Sequence, residues 1–205
     1  MWVSLLLKHN IVVIGASAGG VSAVQRVVNG LPADLPAALF VVIHIPPRPS
    51  NLSQVLNHRS SLHALEATQN QPIERGNIYV APPDHHLFIE NDRIVLWHGP
   101  KESCHRPSIN ALFRSAAVGY GERVVGLILS GILDDGTTGL WWIRRYGGIT
   151  VVQDPAEAEF DEMPKSALNH LDAHYVLRLD EMAPLLIQLA TGSNRRSVSD
   201  PLTGT

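Results

Sequence analysis

Runs of branched apolar residues alternate along the chain with stretches in which apolar positions recur three and four apart. Ile11-Val12-Val13-Ile14 is the first run. It is continuous rather than alternating, as a strand covered on both faces reads. After Gly15–Gly20, Val21, Val24, Val27 and Val28 repeat at helical spacing until Asn29-Gly30 and Pro32 stop the helix. A second buried strand, Leu39–Ile43, ends at His44-Ile45-Pro46-Pro47, and a short helix is expected from Leu52 to His58. The middle changes character. Asn77–Ala81 reads as a strand, and His86–Glu90 and Arg93–Trp97 flank Asn91-Asp92 as a hairpin. Alternation then resumes. Pro107 suits the first turn of a helix carrying Ile109, Leu112, Phe113, Ala116 and Ala117. Strands are expected at Val124–Leu129, Ile149–Val152 and Tyr175–Leu177, and helices at Gly136–Gly147, Pro164–Leu171 and Glu181–Leu189. Strands alternating with helices build βαβ units, so the expected fold is α/β: three layers, α/β/α, around a mainly parallel sheet with an antiparallel hairpin. No repeat or interdomain linker stands out. One domain over 1–190 is expected, with 191–205, rich in Ser, Thr, Asn, Arg and Gly, as a disordered tail.

Composition narrows the classes. In 205 residues, 45% are apolar and 17% charged, which excludes a disordered or collagen-like chain. A net charge of −3 gives no general basic footprint, so no nucleic-acid partner is expected. Met1–Leu7 is apolar but stopped by Lys8 and His9, with no basic segment before it and no small-residue cleavage site. It is too short to span a bilayer, so no membrane insertion and a cytoplasmic location are expected. The one cysteine, Cys104, allows no internal disulfide and no thiolate-only zinc site.

Three expected strand ends carry polar residues where open parallel sheets place their sites. In Gly15-Ala16-Ser17-Ala18-Gly19-Gly20, a Gly-x-Ser-x-Gly turn between strand and helix fits a nucleophile elbow. It fits equally a phosphate-binding loop or a structural turn, although Ser17 stands where Gly-x-Gly-x-x-Gly needs its second glycine. His44, held between Val-Val-Ile and Ile-Pro-Pro, reads as a base or as a hydrogen-bonded histidine at a strand terminus. Alone, the second is the commoner fate. Asp134-Asp135 after Ser130-Gly131-Ile132-Leu133 reads as a helix cap or as the acceptor that fixes a histidine tautomer, and the pair suggests one carboxylate in each role. Ser, His and Asp at three strand ends are the raw material of a catalytic triad. His85-His86, His98 and His105 invite a metal, but adjacent histidines in a strand face opposite sides and His-Glu-x-x-His is absent. No metal and no cofactor are expected. Trp141-Trp142 reads as helix packing.

In this order the motifs resemble the catalytic domain of the CheB-type protein-glutamate methylesterases of bacterial chemosensory systems. The resemblance runs from about Ile11 to Leu189. It rests on Ile14–Gly20, Val42-Ile43-His44-Ile45-Pro46, Ile78–Pro83, Arg106–Asn110 with Leu112–Ala117, Leu129-Ser130-Gly131 through Asp135-Gly136, Val152-Gln153-Asp154 and Met163–Ala167. It implies a serine-hydrolase triad: Ser17 as nucleophile, His44 as base and Asp135 as acid, with Asp134 in the variable position before it. The N–H groups of Ala18 and Ile132 are candidates for the oxyanion hole. Many family members carry Gly where this chain has Leu133 and Thr where it has Ser130, departures that touch the turn of the acid.

The implied reaction is hydrolysis of glutamate γ-methyl esters on methyl-accepting chemoreceptors, with deamidation of receptor glutamines by the same acyl chemistry. Implied partners are the receptors' cytoplasmic helices, and further a chemosensory methyltransferase or a separate receiver protein. Receptor contact is expected at Pro46–Ser50 and Met163-Pro164. Family members usually carry an N-terminal receiver domain. Too little chain precedes Ile11 to hold one, so a stand-alone esterase domain is expected, although a truncated piece would read the same. Two other readings stand beside this one: a non-catalytic chemosensory binding module with the same fold, and a nucleotide-binding α/β protein using the Gly15–Gly20 loop.

Overall fold

A computed structural model of the chain describes residues 9–45, 48 and 50–193. The apolar stretch Met1–Leu7, the prolines of the Pro46–Ser50 loop and residues 194–205 of the expected tail lie outside the described residues.

Seven strands form one sheet in the order β3-β4-β2-β1-β7-β8-β9, and every neighbouring pair is parallel. The central three are β1 (Ile11–Ala16), flanked by β2 (Ala38–Ile43) and β7 (Val124–Ile128). Beyond β2 lie β4 (Asn77–Val80) and β3 (His63–Glu66); beyond β7 lie β8 (Ile149–Gln153) and β9 (Tyr175–Leu177). The first half of the chain thus builds outward from β1 on one side, and the second half on the other. The strand order reverses beside β1, where doubly wound sheets open a crevice.

The unbroken apolar runs are explained by the layers. Val12, Ile14, Leu39 and Val41 pack with Val24, Val27, Leu56 and Met182 on one face. That layer is α1 (Gly20–Asn29), α2 (Leu52–Asn57) and α6 (Leu179–Thr191). Val13, Phe40, Val42 and Val152 pack with Leu112, Phe113, Leu140 and Met163 on the other. That layer is α3 (Ile109–Tyr120), α4 (Thr137–Arg145) and α5 (Glu162–His170). Successive strand residues point to opposite faces, and both faces are covered, so no polar alternation survives. The hairpin β5 (His86–Glu90) and β6 (Arg93–Trp97) is a separate two-stranded sheet whose Leu87, Ile89 and Ile94 join the second layer. Its turn residues Asn91 and Asp92 have φ of 51° and 57°, the left-handed pair that a tight hairpin requires.

One strand was not expected from the sequence, and three helices start or end elsewhere than expected. β3 carries no apolar run: it is an edge strand with His63 and Glu66 exposed and Ala64 buried. Helix α3 begins at Ile109, not at Pro107, because Ser108 is still extended at the N-cap. Helix α5 starts at Glu162, before Pro164. Helix α6 starts at Leu179 and extends through Thr191, the residue at which the tail was expected to begin. Of the adjacent pair Trp141-Trp142, Trp142 packs on the second core, whereas Trp141 is exposed.

Two glycines let α3 approach the sheet closely. A Cβ at Gly15 would lie 2.3 Å from Ile109 Cγ2. A Cβ at Gly136 would lie 2.8 Å from the same atom and 2.3 Å from Ile128 Cδ1, and Gly136 has φ +101°. Ile109 therefore sits in a notch that only glycines leave open, and the first turn of α3 is pressed against the ends of β1 and β7. Gly136→Ala is expected to destabilise the fold by about 3 kcal/mol, from left-handed strain and overpacking together, read as a lower urea midpoint with an unchanged m-value.

Candidate active site

Ser17, His44 and Asp135 each follow one of the three central strands, β1, β2 and β7. The fold brings them together. His44 Nδ1 lies 3.2 Å from Ser17 Oγ, and His44 Nε2 lies 2.9 Å from Asp135 Oδ2. A carboxylate only accepts, so Nε2 carries the proton and Nδ1 presents its lone pair to the serine hydroxyl. Ser17 is half-buried and Asp135 is 1% exposed.

The carboxylate is held by the N-terminus of α3. Oδ2 accepts from the Ile109 N–H at 2.7 Å as well as from His44. Oδ1 accepts from Ser108 Oγ–H at 2.9 Å and from the Asn110 N–H at 3.1 Å. The helix leaves its first N–H groups unpaired and carries a partial positive charge at this end, so it suits an anion. Burial alone would push the Asp135 carboxyl up. The hydrogen bonds from His44, Ile109 and Asn110 outweigh it, and the group titrates below its ordinary value.

This corrects the expectation that one of the two aspartates caps the helix that follows them. The N-cap of α4 is Gly136, with no side-chain cap; Asp134 is exposed and gives only its backbone carbonyl to the Thr137 N–H. Asp135 instead caps α3, a helix that precedes it in sequence, while also binding His44. The cap of α4 comes from α3 in return. Asn110 Oδ1 accepts from the N–H groups of Gly136 (3.1 Å) and Gly139 (2.7 Å).

The serine loop is tied to the β7 end. The Ser17 N–H donates to Ser130 O at 3.0 Å, and Ser130 Oγ–H donates to Ala18 O at 2.8 Å. Ser130 is buried, and its own N–H donates to Gln153 Oε1 at 2.8 Å. The two N–H groups suggested for an oxyanion hole, those of Ala18 and Ile132, have no hydrogen-bond acceptor among the described residues. Met163 and Pro164, suggested as receptor contacts, are buried, with Met163 only 1% exposed. Their side chains are spent on packing and are not available to a partner.

His105, which the sequence offers only as one of several histidines that invite a metal, is a direct neighbour of His44. Its ring stacks on His44 with centroids 3.5 Å apart and planes 3° from parallel, and its Nδ1–H donates to Ser103 O at 2.6 Å. His44, His105 and Asp135 bring ligand-type atoms within 4.8 Å of one another. The stacking disfavours a shared cation. Lone pairs lie in the ring planes, so an ion in the plane of one imidazole would lie over 3 Å from the plane of the other. The Asp135 oxygens also already accept from four donors. Beside the two rings a pocket of about 100 Å³ is bordered by Lys101 and Arg106. Arg106 is bound to Asp84 Oδ1 through Nε and Nη2. His86 is buried and satisfied, with Nε2–H to Pro100 O and Nδ1 accepting the Ser108 N–H.

A serine, an imidazole and a buried carboxylate linked in that order form the constellation of serine hydrolases, here at the ends of adjacent parallel strands. Comparison with known proteins gives the particular family. The family model described as CheB methylesterase matches residues 12–186. A Leptospira interrogans protein provisionally named protein-glutamate methylesterase/protein-glutamine glutaminase is 37% identical over 89% of this chain and 96% of its own. A Methanosarcina mazei protein-glutamate methylesterase/protein-glutamine glutaminase is 36% identical over 88% of this chain, which spans 52% of that longer relative. The crystal structure of the Thermotoga maritima CheB methylesterase catalytic domain superposes with a TM-score of 0.84 at 32% identity, over 89% of this chain and 99% of that domain. The chain belongs to the CheB methylesterase family. That assignment removes the nucleotide-binding reading of the Gly15–Gly20 loop.

The imidazole of His105 titrates below its ordinary value, first because it is partly buried and next because His44 lies against it. A histidine depressed in the folded state holds its stabilising effect above its unfolded pKa of about 6.5 and loses it as pH falls. His105→Phe keeps the stack without the titration. Between pH 7 and pH 5 this variant is expected to lose less stability than the wild type, measured by urea unfolding at both pH values. His9 and His174, also depressed first by burial, keep part of the slope.

Proposed function

We propose that this chain is a protein-glutamate methylesterase acting on methyl-accepting chemoreceptors, and a glutaminase on receptor glutamines. The observation that carries the reading is the hydrogen-bond chain from Ser17 Oγ through His44 to Asp135. The names of its family relatives supply the protein-glutamate and protein-glutamine side chains as substrates, and the family resemblance supplies the chemoreceptors that carry them.

In the proposed reaction His44 Nδ1 takes the Ser17 hydroxyl proton as Oγ attacks the γ-carbonyl carbon of a glutamyl methyl ester. Asp135 holds the ring through Nε2–H and stabilises the imidazolium. The N–H groups of Ala18 and Ile132 receive the oxyanion, each such donor being worth about 10²–10³ in rate. Collapse of the tetrahedral intermediate expels methanol, which takes its proton from His44. A water then attacks the acyl-enzyme with the same base and leaves a glutamate. With a glutamine in place of the ester, ammonia leaves instead. Apart from the hydrolytic water, each step uses groups of Ser17, His44, Asp135, Ala18 and Ile132. The domain assignment over 1–190 and a cytoplasmic setting belong to the same proposal; no helix among the described residues is long and apolar enough to cross a membrane.

Methanol release from a methylated chemoreceptor cytoplasmic fragment is expected with the wild-type chain. With Ser17→Ala it should fall by about 10⁴-fold or more, with folding unchanged by circular dichroism. Equal release by both proteins would overturn the assignment of Ser17. Release by neither would leave the chain a binding module with an idle triad.

A further inference from the structure

We infer that Leu133 is a specificity-determining residue that contacts the protein segment carrying the esterified glutamate. The inference rests on the methylesterase reading above. Leu133 has φ +67°, a left-handed conformation that costs a side chain with a Cβ and costs glycine nothing. The residue is 52% exposed. Neither feature favours leucine in the isolated fold: the backbone is strained, and apolar surface stays in water. The conformation is enforced, because the Leu133 N–H donates to Glu162 Oε2 at 3.0 Å and Asp135, two residues on, is fixed by its four donors.

The turn that carries Leu133 runs past the nucleophile. A Cβ at Gly131 would lie 2.9 Å from Ser17 Cβ, and two residues of chain reach at most about 7 Å from there to Leu133. Two other large apolar side chains share this rim. Ile132 is 40% exposed, and Phe160, whose carbonyl accepts the Gly131 N–H at 2.9 Å, is 40% exposed.

The identity of the occupant follows from reach. A glutamyl ester carbon is three bonds of about 1.5 Å each from its own Cα. To place that carbon at Ser17 Oγ, the substrate must bring its own backbone down onto the rim. Residues flanking the glutamate then pass over the turn from Gly131 to Leu133. The occupant is therefore the substrate protein itself, with an apolar side chain next to the ester.

The test is steady-state methanol release from a methylated receptor cytoplasmic fragment by the wild type, Leu133→Gly and Leu133→Met. Leu133→Gly relieves the strain and removes the contact. Its KM should rise about tenfold, or 1.4 kcal/mol, with kcat within about twofold and a thermal midpoint equal to or above the wild type. Leu133→Met should restore the wild-type KM. An unchanged KM in Leu133→Gly, or a loss confined to kcat, would overturn the inference while leaving the esterase reading intact. No release by the wild type would overturn both.

Discussion

The Asp135 carboxylate at the N-terminus of α3 is the interaction on which the site depends. A buried carboxylate with a missing partner costs several kcal/mol, so its place is fixed by whatever can satisfy it. Here four donors from two directions do so: Ser108 and the first N–H groups of α3 from one side, His44 from the other. Asn110, on the same turn of α3, returns the contact by capping α4. The two helices and the turn between β7 and α4 are thereby locked into one unit, and His44 is oriented by an acid that cannot move independently of the fold.

The sheet supplies the other two members. Parallel strands end on the same side, so Ser17 and His44, just after β1 and β2, meet Asp135, which closes the turn from β7 to α4. The notch at Gly15 and Gly136 lets Ile109 descend between those ends, which brings the N-terminus of α3 to the carboxylate. Ser130 holds the serine loop from β7 by accepting the Ser17 N–H on its carbonyl and donating its hydroxyl to Ala18. Packing therefore sets the distances that the proposed chemistry requires, and the chemistry adds few constraints of its own.

The strands with both faces covered were legible because their apolar runs are continuous, and the hairpin because Asn91-Asp92 tolerates left-handed backbone. β3 was not: an edge strand with polar ends carries no such run. Ser17, His44 and Asp135 stood out as polar residues closing apolar runs. Their supports did not. Ser108 and Asn110 look like ordinary helix-start residues, and nothing local says that their groups serve an aspartate 25 or more positions away. His105 looked like one of many histidines, since stacking is a long-range fact. One aspartate of the pair was expected to cap the helix that follows, because sequence reading assigns caps to the next helix; the structure has Asp135 both bind His44 and cap α3, which precedes it. Leu133 stood out only through the resemblance, and its left-handed backbone, φ +67°, could not be read from the sequence.

The central claim is that Asp135 fixes the His44 tautomer with its proton on Nε2 and the lone pair of Nδ1 facing Ser17. Nitrogen NMR of histidine-labelled protein at pH 8 reads this directly. The account predicts a protonated Nε2 and a bare Nδ1 for His44 in the wild type. In Asp135→Asn the new amide can donate to Nε2 and reverse the tautomer, with hydrolysis falling by about 10⁴-fold. A wild-type His44 protonated on Nδ1, or a tautomer unchanged in Asp135→Asn, would contradict it.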